Sequence, residues 1–526
     1  MTHPVDSPLP DDLATAHRQI RDQAEELRKL QLQIEKMQHQ LEQLLRQRYG
    51  KKSEKLDPAQ LLLFTNDFEE VPLADLPVAP EAAEIPPAAR SRGRKKLPAT
   101  LPRKQIIHNL DDEARACPCC GKQRKEIGRE TREQLDYTPA SLHVVEHIRL
   151  KYACEDCQAH VATAPRLPEP IERGLPGTGL LAHVAVSKYM DHLPLYRLER
   201  IFEREGVTLS RSTMCDWMAS IAGLMEPIWK AMKARVLLSD VMQTDDTPVS
   251  VQDLLLPGKN RTGRFWVYLG DRANRFQVYD YTRDRSRDGP DSFLTGFSKG
   301  YLQSDAYSVY DSLHNRGILE VACWAHARRK FYDCRSTSGD YAHPALAWIG
   351  RLYDVEKAAT AAIQKRLLEE KDMDDDRRWA IEDEIRGQFR KEQSRPLMES
   401  FGTWLETVAG QVLPKSPMGQ AVAYSRTNWE ALNRYLNVPY LAIDNNASEN
   451  ALRSIAIGRK NWLHLGSDAG GHTAAILMTV VQSCKHFKVE PFAYLKDVLD
   501  RVSTHPHSRI AELLPDVWKP APAEPE

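Results

Sequence analysis

The sequence predicts a multidomain α+β protein, and three observations carry that expectation. A heptad pattern fills the N-terminal fifty or so residues, and strand-like alternation broken by turns runs from about 240 to 305. Helix-forming, charged sequence flanks that stretch on both sides. At 526 residues the chain is too long for one ordinary core, so roughly three or four folded units are expected. Hydrophobic residues make up 42% and charged residues 28%, and no apolar run approaches the ~20 residues of a membrane span. The opening residues, MTHPVDSPLPDDL, carry neither a basic n-region nor an apolar h-region, so no signal peptide is expected.

Residues 11–50 read as one long helix. Leu13, Ile20, Leu27, Ile34 and Leu41 recur every seven positions. Ala16, Leu30, Met37 and Leu44 stand three places later, and only Gln23 breaks that second row. The spacing is that of a coiled-coil seam. Glu, Gln, Lys and Arg crowd the other faces, so self-association into a homo-oligomer is expected. An amphipathic helix packed on its own domain is the alternative.

Net charge is only −1, but the charge is segregated. Within a linker expected over 57–104, Asp57 to Ala89 holds seven acids and no Lys or Arg, whereas Arg90 to Lys104 holds seven bases and no acid. Local fields, not the whole-chain sum, decide nucleic-acid contact. Arg92, Arg94, Lys95 and Lys96 suit a segment lying along a DNA backbone or in a minor groove, or equally a solvated linker.

A small zinc-ribbon-like module is expected over 105–170. Cys117 and Cys120, then Cys154 and Cys157, form two Cys-x-x-Cys pairs, which can supply four thiolates to a tetrahedral structural Zn2+. An odd total of nine cysteines with this spacing argues for metal in a reducing cytoplasm rather than for disulfides. Glu130 to Tyr152 reads as a hairpin, with Leu142, Val144, Glu146 and Ile148 along one buried face.

A helical region follows over 175–238. Pro194 suits a helix start, Leu195, Leu198 and Phe202 give an apolar face, and Gly206 ends it. Ser210 is a good N-cap for a second helix through Trp217 and Ile221. The pattern fits a DNA-reading helix-turn-helix or an ordinary αα-hairpin.

A catalytic domain is expected over 239–465. Val241–Val249, Arg264–Leu269 and Arg275–Asp280 read as strands, Asp291–Phe297 as a helix, and Gly300–Asp305 as another strand. That order matches an RNase H-like α/β catalytic core, whose first and fourth strands are neighbours, and would bring Asp245 beside Asp305. Residues 341–437 are helix-forming and charged, and a structureless loop of that length is anomalous, so a helical insertion is expected there. A C-terminal helical region should occupy 466–510. Carboxylates in such a place suit phosphodiester cleavage, because two divalent cations need hard oxygen ligands that leave room for phosphate, water and leaving oxygen.

Local motifs then carry a resemblance. Cys323-Trp-Ala-His-Ala-Arg-Arg-Lys-Phe331, Leu302-Gln-Ser-Asp-Ala-Tyr307, Ile443-Asp-Asn-Asn446 and Ile457-Gly-Arg-Lys-Asn-Trp-Leu463 resemble signatures of the insertion sequence 66 family of transposases. So do Tyr49 to Leu56, Cys117 to Gly121, and Leu193 to Arg197 taken with Leu209 to Thr213. The resemblance implies a DDE-type DNA transposase that binds the terminal inverted repeats of a mobile element. Water would free a 3′-OH, and that hydroxyl would then attack target DNA, with two Mg2+ (or Mn2+) ions at the site. It implies Asp245, Asp305 and Glu449 as catalytic residues and metal ligands, small accessory proteins of the same element as further partners, and a cytoplasmic, nucleoid-associated location.

Asp246 stands where Glu is common and so rivals Asp245; Asn450 replaces a common Arg, and His464 replaces an aromatic. Arg453 is four residues from Glu449 and could touch phosphate or pair with that acid. Arg459, Lys460 and Trp462 suit a DNA end or an ordinary turn with a buried Trp. His326, Arg328, Arg329 and Lys330 could face phosphate or form a solvated helix face. Two other readings stay open: an RNase H-like nuclease without strand transfer, and a catalytically inactive, zinc-containing DNA-binding protein.

Overall fold

The computed structural model describes residues 13–49, 142–148, 151–152, 162–163, 168–172, 174–253, 258–370 and 373–521. The chain divides into two compact units, 1–67 with 147–526, and 68–146. The second lies almost wholly outside the described residues, as do Arg92 to Lys96 and Cys117, Cys120, Cys154 and Cys157.

Helix α1 (Leu13–Tyr49) is unbroken, as the heptads predict. Its seam faces outward: Leu13, Ile20, Leu27, Ile34, Met37 and Leu41 are all more than half exposed. Residues 142–148, expected in a strand, have no regular secondary structure, and their side chains are exposed. Alternation over a few positions makes a strand only where a partner ladder and a covered face exist. The short ladder that is described pairs β1 (Lys151–Tyr152) antiparallel with β2 (Ala162–Thr163).

Helices α2 (Thr178–Tyr189), α3 (Leu195–Arg204) and α4 (Arg211–Val236) fill the next segment. Ser210 caps α4, its Oγ accepting from the Thr213 N–H at 3.2 Å. Gly206, at φ +86°, makes the turn after α3, a conformation open to glycine because it has no Cβ. Leu181, Phe202, Ile221 and Met225 from these helices join the same apolar core as the sheet.

That sheet contains β3 (Val241–Gln252), β4 (Asn260–Leu269), β5 (Gln277–Thr282), β6 (Tyr301–Gln303) and β7 (Leu319–Val321), in the order β5-β4-β3-β6-β7. The first three strands are antiparallel, while β6 and β7 run parallel to β3. The expected neighbours β3 and β6 are paired, with Gln243 opposite Gln303. Helix α5 (Asp288–Phe293) precedes β6, and its Phe293 stacks on Tyr268 with ring centres 3.7 Å apart. Phe265, Trp266, Val267 and Tyr268 are fully buried in succession, so β4 is covered on both faces.

Helical sequence resumes directly after β7, earlier than the expected start at 341. Helices α6 (Trp324–Asp333), α7 (Gly339–Glu369), α8 (Asp375–Phe389), α9 (Arg395–Ala409) and α10 (Pro417–Thr427) surround Trp324, Trp348 and Phe401. Arg390, 1% exposed, ties this layer to the returning chain. Its guanidinium pairs with both Glu356 carboxylate oxygens (2.6 and 2.9 Å) and donates to the carbonyls of Tyr435 (2.7 Å) and Leu441 (2.8 Å). The chain then enters α11 (Asn446–Trp462), α12 (Asp468–His486) and α13 (Pro491–Arg501). Among the described residues, no helix is long and apolar enough to cross a membrane.

Candidate active site

The register of β3 and β6 builds the first half of the site. Gln243 donates Nε2 to Gln303 Oε1 at 2.9 Å, locking the two strands at that level. Asp245 lies two residues further along β3, on the face of Gln243, and Asp305 follows two residues after β6 ends at Gln303, near enough for its charge to act on Asp245. Asp305 is held by its own loop. Its side chain accepts from the Tyr307 N–H (3.2 Å), its carbonyl accepts from the Tyr424 hydroxyl (3.2 Å), and Ala306 sits at φ +60°.

Glu449 enters from the first turn of α11, whose far end is fastened to β3: Arg459 Nη1 donates to Thr247 Oγ1 (2.8 Å) and to the Pro248 carbonyl (2.7 Å). Asp245 feels the other two acids. Burial above all pushes the Asp245 carboxyl up, to about 8; the Asp246 N–H, donating at 2.7 Å, opposes this, and the charges of Asp305 and Glu449 reinforce it. Among the described residues, no three His, Cys, Asp or Glu side chains stand close enough together to hold a single ion.

Asp246, the rival acid, has its oxygens taken. Its side chain is 3% exposed; Arg264 Nη1 holds Oδ2 at 2.9 Å, while Arg285 Nε and Nη2 hold Oδ1 at 2.9 and 2.7 Å. Sequence reading passed over both arginines. Arg285 lies in Arg283-Asp-Arg-Ser-Arg-Asp288, which looks like an ordinary solvated connection, and nothing local marks it.

His326, in the first turn of α6, brings Nε2 to 3.8 Å from Glu449 Oε1, and its buried Nδ1 has no hydrogen-bond partner among the described residues. Burial lowers its affinity for a proton despite the pull of Glu449 and Asp305. Arg328 is half-buried, Arg329 and Lys330 are exposed, and Lys330 lies 4.5 Å above the Tyr424 ring. On α11, Arg453 and Lys460 are exposed. Trp462 is half-buried against the core, and a Cβ at Gly458 would come 2.6 Å from its Nε1. The structure therefore brings Asp245, Asp305, Glu449 and His326 within electrostatic reach of one another, with Arg285 beside Asp305, and commits Arg459 to β3. Two cavities, of about 370 Å3 beside Ile34 and Met418 and about 310 Å3 beside Trp429 and Asn437, are lined by none of these residues.

Comparisons with known proteins agree along the chain. A family model described as "Transposase IS66 family" matches residues 173–473, and "IS66 C-terminal element" matches 479–515. "Zinc-finger binding domain of transposase IS66" matches 114–158, which spans the four paired cysteines, and "Transposase C of IS166 homeodomain" matches 36–106. Three relatives come from Sinorhizobium fredii (strain NBRC 101917 / NGR234). "Uncharacterized protein y4hP" is 30% identical, covering 94% of this chain and 89% of the relative. "Uncharacterized protein y4jD" is 30% identical, over 96% and 98%. "Uncharacterized protein y4qI" is 34% identical, over 91% and 88%. With a family model matching more than half of its length and relatives matching nearly all of it, this chain belongs to the IS66 family of transposases.

Proposed function

We propose that the chain binds the ends of an insertion sequence, cleaves a phosphodiester there and joins the freed 3′-OH to target DNA, with Asp245, Asp305 and Glu449 at the reacting centre. The observation that carries this reading is the convergence of three carboxylates, from β3, from just after β6 and from α11, such that Asp305 and Glu449 both add to the upward push that burial gives Asp245. The strand order β5-β4-β3-β6-β7, with β3 and β6 parallel, supports an RNase H-like core.

The donor set fits hard divalent cations such as Mg2+ or Mn2+. Each such ion takes one or two protein carboxylates and fills its remaining positions with water and phosphate oxygens, so three ligands around one ion are not required. When bound, two such ions would lower the pKa of the attacking water and offset charge on the attacking and leaving oxygens. The protein's own part is positioning. The Gln243–Gln303 bond sets the level of Asp245 and Asp305, and the Arg459 contacts hold α11 so that Glu449 stays beside them. In the first step a water oxygen bonds to phosphorus and the 3′ oxygen leaves. In the second, that 3′ oxygen attacks a target phosphodiester and expels the target's own 3′ oxygen.

Outside the described residues, Cys117, Cys120, Cys154 and Cys157 would hold a structural Zn2+. Arg92, Arg94, Lys95 and Lys96 would follow the DNA backbone, joined by Arg328, Arg329, Arg453 and Lys460. The exposed seam of α1 would pair two copies of the chain. The location proposed is the bacterial cytoplasm, at the nucleoid.

The test is a strand-transfer assay with purified protein, Mg2+, labelled element ends and a target plasmid, adding the element's accessory proteins if the chain alone is inert. Asp245→Asn, Asp305→Asn and Glu449→Gln should each reduce cleavage by at least about a thousandfold while end binding persists. Normal cleavage by Asp305→Asn would refute the reading. Cleavage of intact ends without joining of pre-cut ends would favour a nuclease instead.

A further inference from the structure

Arg285 is placed to do more than neutralise Asp246. It reaches from the connection between β5 and α5, and Nε and Nη2 both bond to Asp246 Oδ1. Nη2 also stands 3.9 Å from Asp305 Oδ2, which puts the guanidinium beside the acid cluster. Its face lies 3.8 Å over the Tyr307 ring. The side chain remains 35% exposed, and Nη1 has no hydrogen bond among the described residues.

Two guanidinium groups, Arg264 and Arg285, meet one carboxylate at Asp246, so that carboxylate cancels only one of the two positive charges and the other stands beside Asp305. That charge is permanent, because an arginine does not lose its proton under ordinary conditions. A planar group fixed along one edge by a buried carboxylate and on one face by an aromatic ring has little freedom left to lose. Its outer end offers donors in the fork geometry that matches two phosphate oxygens.

We propose that Arg285 grips a non-bridging oxygen of the scissile phosphodiester, and that Asp246, Arg264 and Tyr307 are the residues that position it. This rests on reading Asp245, Asp305 and Glu449 as the reacting centre. It gives Asp246 a task that does not require it to bind a cation. It also supplies attraction at the one phosphate that three neighbouring carboxylates would otherwise repel.

The test removes the charge from either partner. End duplexes carry a neutral methylphosphonate at the cleaved position, or at one of the three positions on either side. Binding is measured by fluorescence anisotropy in EDTA, and cleavage is measured separately in Mg2+. With the native protein, neutralising the cleaved phosphate should weaken binding about tenfold or more, the scale of a charge-assisted hydrogen bond. Arg285→Gln should weaken binding to the normal duplex by a similar factor and should erase the penalty at the cleaved position alone. If the two penalties multiply, or if the coupling peaks at another phosphate, the proposal is overturned.

Should Arg285→Gln fail to fold, Arg285→Lys keeps a cation against Asp246 but cannot also span to phosphate. Its coupling should then fall below about threefold, and full coupling would overturn the proposal. Asp305→Asn cleavage, assayed in parallel, reports on the reacting centre itself, so failure there is distinguishable from failure of Arg285.

Discussion

Asp245→Asn should make the cation-free protein more stable, and increasingly so as pH rises. Burial above all, with the like charges of Asp305, Glu449 and Asp246, pushes the folded-state carboxyl from 3.8 to about 8. Below about pH 4 the acid is protonated in both folded and unfolded chains, so pH has no effect through this group. Between about 4 and 8 the unfolded chain releases the proton while the folded chain keeps it, so stability falls as pH rises; above about 8 the loss is complete. The full displacement corresponds to at most about 6 kcal/mol. Removing the buried charge should recover about half of that upper bound, ~2–3 kcal/mol at pH 8. Asparagine keeps the shape and can still accept from the Asp246 N–H. The assay is denaturant unfolding of native and Asp245→Asn proteins in EDTA from pH 5 to 9, followed by tryptophan fluorescence and read as the difference between the two. Asparagine should flatten the decline that the native protein shows, and millimolar Mg2+ should restore the native protein but not the variant. Equal stability of the two at pH 8, or parallel pH profiles, would refute the claim that the cluster is electrostatically strained.

Glu356→Gln leaves the Arg390 guanidinium buried without its counter-charge and should cost about 3–5 kcal/mol, seen as early unfolding of the helical layer in hydrogen exchange. The double variant Arg390→Met with Glu356→Leu should lose less than either partner's removal alone. Leu27→Lys with Ile34→Lys places two charges in the exposed seam of α1 and should shift sedimentation towards the monomer while circular dichroism of the remaining fold is unchanged. Zinc content by mass spectrometry should be one ion per chain, and Cys154→Ser or a chelator should remove it and weaken end binding.

Much of the architecture was legible in local sequence. The heptads of Leu13 to Leu41 predicted α1, Ser210 predicted the start of α4, and Val241 onwards predicted β3 with β6 as its neighbour. Local signals failed where an element is too short or too dependent on partners. β7 is only Leu-Glu-Val, with no room for alternation. Residues 142–148 alternate but have no regular structure. Arg285 looked like any other charge in a charged connection.

The sequence by itself determined what repeats over a few residues, because helix and strand periods impose their own spacing on apolar side chains: the heptad-patterned helix α1, the helix capped by Ser210 and the strands β3 to β6; the family motifs were legible as well. Only the tertiary structure decided which acid faces which neighbour. Asp245 and Asp246 are adjacent and chemically alike, yet one feels Asp305 and Glu449 while the other is held by Arg264 and Arg285. Successive strand residues point to opposite faces, and what covers each face comes from segments far away in the chain, which no local pattern records.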